Sequence, residues 1–133
     1  MSRLISRTLA LLALFALSAG APAAANLAPQ SSSQSGVTVK VTPQSLAGAE
    51  WAFELVFDTH TQELKDEPLK SAVLVVDGGA PSAAIDWKGD APGGHHRKGV
   101  LRFKAPTGSA ANVELRLSRP AESAPRVFRW QLR

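Results

Sequence analysis

The chain contains no cysteine. Disulfides, thiolate metal centres and a lipid anchor carried on a cysteine thioether are all excluded with it. Its one methionine is Met1. Once the N-terminal segment is removed, blue-copper sites and methionine-rich copper(I) carriers are excluded too. No stretch shows a convincing helical period, so there is no phosphate-cradling loop opening a helix. The Gly-x-Ser-x-Gly elbow of a serine hydrolase is missing as well. Histidine is scarce: the chain has three, His60, His95 and His96, and all stand at segment ends.

The N-terminus has the three parts of a secretory signal. Arg3 and Arg7 supply positive charge, and Leu9 to Leu17 is an apolar run too short to span a bilayer as a helix. Ala19-Gly20-Ala21 and Ala23-Ala24-Ala25 offer small-residue cleavage sites, the second preferred. Residues 1–25 are therefore expected to be removed, leaving a periplasmic or secreted protein with no membrane attachment; an uncleaved anchor is the alternative. Without Arg3 and Arg7, 13 basic residues face 11 acidic ones, a net charge of +2. That balance lacks the clustered basic face of a nucleic-acid binder.

Residues 26–36, Asn-Leu-Ala-Pro-Gln-Ser-Ser-Ser-Gln-Ser-Gly, are polar and aperiodic and read as a flexible Ser/Gln-rich linker. The remaining 97 residues, 37–133, suffice for one domain with one core.

From Val37 onward the apolar period is two. Val37, Val39 and Val41 alternate with polar residues, as do Trp51, Phe53, Leu55 and Phe57. Ala72 to Asp77 is a continuous apolar run, and Ala83, Ile85 and Trp87 make a short fourth strand. Leu101 to Ala105, Val113 to Leu117 and Phe128 to Leu132 complete the set. About seven short strands in under a hundred residues indicate an all-β fold, an immunoglobulin-like antiparallel β-sandwich.

Connection parity then brings the histidines together. Sequential antiparallel strands place alternate connections at the same end. The loop beginning at His60 is the second connection, and Gly93-Gly94-His95-His96-Arg97 closes the fourth. In an immunoglobulin-like arrangement the second and fifth strands also pair, which sets these segments roughly 4.8 Å apart. Imidazoles and carboxylates suit zinc and copper(II). His60, His95 and His96 are thus candidate metal ligands, with Asp58, two residues before His60 on the same strand face, binding directly or orienting His60. The competing reading is a polar cluster of structural or partner-binding role, in which Asp58 pairs with Arg97.

Other constellations are weaker. Trp51, Trp87 and Trp130 lie on the apolar phase of their strands, so core packing is expected ahead of sugar stacking. Arg116, Arg129 and Arg133 are expected on one polar face, with Arg119 and Arg126 in the adjoining loop; a solvated face is the default reading and acidic glycan binding the sharper one. Asp66 and Glu67 sit in what reads as an exposed turn, without a pocket to shift their pKa values.

Taken together, Trp51-x-Phe53, Asp58-Thr59-His60, Trp87-Lys88-Gly89 and Gly93-Gly94-His95-His96-Arg97-x-Gly99-Val100-Leu101-x-Phe103 resemble a recurring pattern in an uncharacterised family of small exported prokaryotic immunoglobulin-like domains. The resemblance spans most of residues 37–132. It implies the fold and export and carries no activity. The expectation is therefore an exported domain that binds zinc or copper(II) without catalysis. A metal-free module engaging another envelope protein is the alternative, and hydrolysis at an open zinc position a third.

Overall fold

The computed structural model describes residues 27–133; the expected signal lies outside them. The chain order is β1 (Gln30–Gln34), β2 (Val37–Ser45), β3 (Glu50–Thr59), α1 (Pro68–Ser71), β4 (Ala72–Val76), β5 (Ser82–Ala83), β6 (Asp86–Gly89), β7 (His96–Lys104), β8 (Asn112–Leu117) and β9 (Arg126–Gln131). All pairings are antiparallel. One sheet has the order β1-β2-β3-β7-β6 and the other β5-β4-β8-β9. The molecule is an all-β sandwich, as the alternation foretold. Among the described residues no helix is long and apolar enough to cross a membrane.

Side chains alternate across a strand, so each sheet sends every second residue inward. Val39, Phe53, Leu55, Phe57, Leu101 and Phe103 come from the five-stranded sheet, and Leu74, Leu115, Leu117, Phe128 and Trp130 from the other. Phe53 holds the layers together. Its ring meets Phe103 edge-on at 5.9 Å and Trp130 of the opposite sheet at 5.6 Å.

Two differences raise the strand count from seven to nine. The Ser/Gln-rich stretch is not a flexible linker over residues 30–36. It forms β1 and turns into β2 through Ser35 and Gly36, both at positive φ (52° and 74°). That is the geometry of a two-residue hairpin loop matched to strand twist. Polar β1 forms because side chains from elsewhere hold its backbone. Arg126 donates to Ser32 O and Gln34 O, the Gln30 side chain pairs with the backbone of Arg129, and Trp130 Nε1 donates to Ala28 O.

The expected fourth strand is also two strands. Ser82–Ala83 pairs with β4, then the chain crosses the gap and Asp86–Gly89 pairs with β7. Ile85, half exposed, marks the crossing rather than a core position. Strands that switch sheets in this way turn the corners of a sandwich.

Candidate functional site

One rim of the sandwich gathers the β1–β2 turn, the segment after β3, the loop before β7 and the loop between β8 and β9. The pairing on which the histidine argument depended is present: β3 lies beside β7, with Asp58 opposite His96. Main-chain bonds then lace the two loops together. Thr59 N–H donates to His95 O at 3.0 Å, Leu64 N–H to Gly94 O at 2.9 Å and Gly93 N–H to Leu64 O at 2.7 Å. Gly93 and Gly94 adopt φ of 124° and 70°, where residues with a Cβ are strained.

His60, His95 and His96 are all exposed on this rim. His96 and Asp58, directly opposite each other, point to the outer face of the five-stranded sheet. His96 Nδ1 and Asp58 Oδ1 are 2.5 Å apart. A carboxylate oxygen accepts, so Nδ1 is the donor in this contact, and in the neutral tautomer of such a ring Nε2 carries the open lone pair. Both side chains are more than half exposed (61% and 56%), which makes the pair a weak source of stability. Among the described residues no three His, Asp or Glu side chains form a group that could hold a metal. The structure joins Asp58 to His96, its cross-strand partner, and not to His60 as expected from their shared strand face, and it places His60 and His95 on the same rim.

Arg97 does not pair with Asp58. Parity turns it to the opposite, inner face beside Phe57, with its guanidinium 5.9 Å from the ring centroid. It is 1% exposed and donates to Asp66 O (2.5 Å) and Asp90 O (3.0 Å). Burial pulls its pKa below the ordinary arginine value, while nearby Asp66 and Asp90 act the other way.

Two expectations about charge are corrected here. Asp66 is not in an exposed turn: it is buried and receives Arg119 Nε and Nη2 at 2.8 and 2.9 Å. Arg119 and Arg126 are not part of a basic surface loop. Arg119 continues to Glu122 (2.8 Å), and Glu122 receives Arg126 Nε and Nη2, both at 2.9 Å. Arg126 reaches on to Val37 O, Ser32 O and Gln34 O. The Arg126 hydrogen bonds, with help from Arg119 and Gln34 and against the effect of burial, hold the Glu122 carboxyl down at about 2, well below 4.5. This chain of charges ties four segments of the rim together.

A local signal for these arginines existed. Arg97 stands two residues before Gly99 and four before Leu101, Arg119 two after Leu117, and Arg126 two before Phe128. All three occupy the inward phase of a strand or its extension. On the outer face of the second sheet, Arg116 and Arg129 clasp Glu114 at 2.6 Å each instead of presenting free charge. Those two hydrogen bonds, Arg129 first, lower the Glu114 pKa.

Compared with protein-family models, curated proteins and solved structures, the chain matches none.

Proposed function

We propose that this rim binds a divalent transition metal, zinc or copper(II), in an exported β-sandwich domain of periplasmic or secreted location. His96 binds through Nε2, and Asp58 orients the ring from behind, an arrangement that fixes the tautomer and raises ligand basicity. His60 and His95, mobile-length side chains on the same rim, complete the site when their rings turn toward the ion. The reading is supported above all by the 2.5 Å contact between His96 Nδ1 and Asp58. It leaves one nitrogen of an exposed imidazole free and pre-oriented. No catalytic role is assigned.

Calorimetric titration of tag-free protein with zinc and copper(II) tests this. The expected outcome is stoichiometric binding that disappears in His96→Ala and weakens in His60→Ala. Asp58→Asn should cost about 10–100-fold in affinity, the usual loss when an orienting carboxylate is removed. Identical isotherms for wild type and His96→Ala would end the proposal.

A second reading is favoured by the exposure of all three histidines and by the open outer face of the five-stranded sheet, where Lys98 meets Glu54 at 3.5 Å. In it the rim is a metal-free module that engages an envelope protein. Retention of such a partner by metal-stripped protein, with no metal isotherm, would select it.

A further inference from the structure

The outer face of the second sheet carries polar groups that the metal site does not use. Asn112, Glu114 and Arg116 lie on the outward phase of β8, and Arg129 and Gln131 on that of β9. Register sets Asn112 opposite Gln131 and Glu114 opposite Arg129. With Asp77, just past β4, these side chains line an open pocket of about 390 Å³, within the size range of small-molecule sites.

The pocket has two unlike ends. At one, Glu114 takes only the Nε of Arg116 and the Nε of Arg129, each at 2.6 Å. Among the described residues the Nη atoms of these two guanidinium groups make no hydrogen bond. They are open to a ligand: the Arg129 side chain is 72% exposed and that of Arg116 41%. One carboxylate between two guanidinium groups leaves this end with an excess of one positive charge. The same carboxylate holds both side chains, which lowers the cost of ordering them on binding. A free Nη pair is a planar fork that suits the two oxygens of a carboxylate.

Two residues along each strand, roughly 7 Å away, the chemistry changes. The exposed Asn112 and Gln131 face each other, and among the described residues neither side-chain amide makes a hydrogen bond. Asp77 beside them spends Oδ1 on the N–H groups of Ala111 and Asn112, at 3.0 and 2.8 Å, and keeps Oδ2. Those two bonds lower its pKa, and the charge of Arg133 acts the same way. Its negative charge is therefore already balanced and does not require a ligand cation. Hydroxyls match this end, since they accept from the amides and donate to Asp77 or to the amide oxygens. The step between the two ends is one that a pyranose ring with its substituents spans.

We propose that this pocket binds a uronate, the carboxylate-bearing pyranose of acidic glycans, as a free sugar or as a unit of a chain. The carboxylate lies against the Nη forks of Arg116 and Arg129, and hydroxyls engage Asn112, Gln131 and Asp77. Glu114 limits the pull on the ligand's charge, so the affinity is modest. Asp58 and His96 belong to the other sheet, and this site stands or falls independently of the metal site.

NMR titration of the isotope-labelled protein at fixed ionic strength tests the assignment, with glucuronate, galacturonate, an oligogalacturonate, methyl glucoside, acetate and inorganic phosphate as probes. At least one uronate should shift the Glu114, Arg116, Arg129 and Gln131 amides saturably in the millimolar range, since few atoms are engaged. Arg129→Gln should weaken it by about tenfold, the scale of one lost hydrogen bond to a charge. Gln131→Ala should weaken the uronate by about threefold or more and leave the acetate titration unchanged. Both side chains are exposed on an edge strand, so the circular dichroism spectrum of either variant should match wild type. Both results for the oligomer support the reading: tighter binding per site than the monosaccharide identifies a chain as the source, and equal binding the free sugar. No saturable response to any uronate at tens of millimolar overturns the proposal. So does methyl glucoside binding as tightly as the uronates, acetate or phosphate doing so, or an unaltered uronate titration in Arg129→Gln.

Discussion

Glu122→Gln is the sharpest probe of how this rim is held. Glu122 accepts from both Arg119 and Arg126, and all three side chains are at least nine-tenths buried. Its carboxyl titrates at about 2 instead of 4.5. A difference of that size corresponds to roughly 3 kcal/mol of stability at neutral pH, at about 1.4 kcal/mol per pH unit. Because the folded-state value is depressed, this stability is fully present above pH 4.5 and is lost as pH falls from there toward 2. Glutamine keeps the shape and removes the charge, leaving two buried guanidinium groups short of a counter-ion. Urea denaturation followed by the fluorescence of core Trp51 and Trp130 should show Glu122→Gln less stable by about 3–5 kcal/mol at pH 7, in the range for breaking a buried pair. With urea slopes of about 1–3 kcal/mol/M, the midpoint should fall by at least about 1 M. The gap between the two proteins should then close as pH is lowered from 4.5 to 2. Glu67→Gln, whose partner Lys70 is exposed, serves as control and should change stability by about 0.5 kcal/mol or less. A gap under about 1 kcal/mol at pH 7, or one that stays constant into acid, would refute the reasoning.

Other consequences follow from how the strands pack. Gly99→Ala puts a methyl group 2.5 Å from the Trp87 ring and 2.8 Å from Gly89 Cα, so thermal unfolding should show a loss of about 1–3 kcal/mol, as for other overpacked sites. Gly89→Ala should cost at least as much, since its methyl would meet main chain, Gly99 Cα at 2.4 Å and Lys98 O at 2.6 Å. Deleting residues 27–36 removes β1 and two carbonyls that receive Arg126; at about 1.5–3 kcal/mol for each hydrogen bond to a charge, chemical denaturation should show a loss of 3 kcal/mol or more. A truly flexible linker could be cut without effect. In hydrogen exchange, the Phe53 and Leu55 amides should be among the slowest, because β3 is central in its sheet and its inner side chains are fully buried.

The sequence by itself determined the strands and the core. A period of two with aromatic and β-branched residues leaves one buried face per strand, and Val37 to Val41, Trp51 to Phe57 and Phe128 to Trp130 were read correctly from that alone. It also indicated that His60 and the double histidine share a rim; the parity survives the change from seven strands to nine because β1 shifts both loops alike and β5 and β6 run in one direction, as a single strand passing between sheets. Reading β1 was beyond it, because Gln30–Gln34 buries little of its own and owes its order to Arg126 and Trp130, about ninety to a hundred residues away. The fate of the charges was likewise a tertiary decision. Asp66 and Arg119 are 53 residues apart, and whether an arginine on the inward phase is buried or turned out depends on a partner reaching it through space. Local alternation tells a side chain which way to face; only the packed sandwich supplies what it meets there.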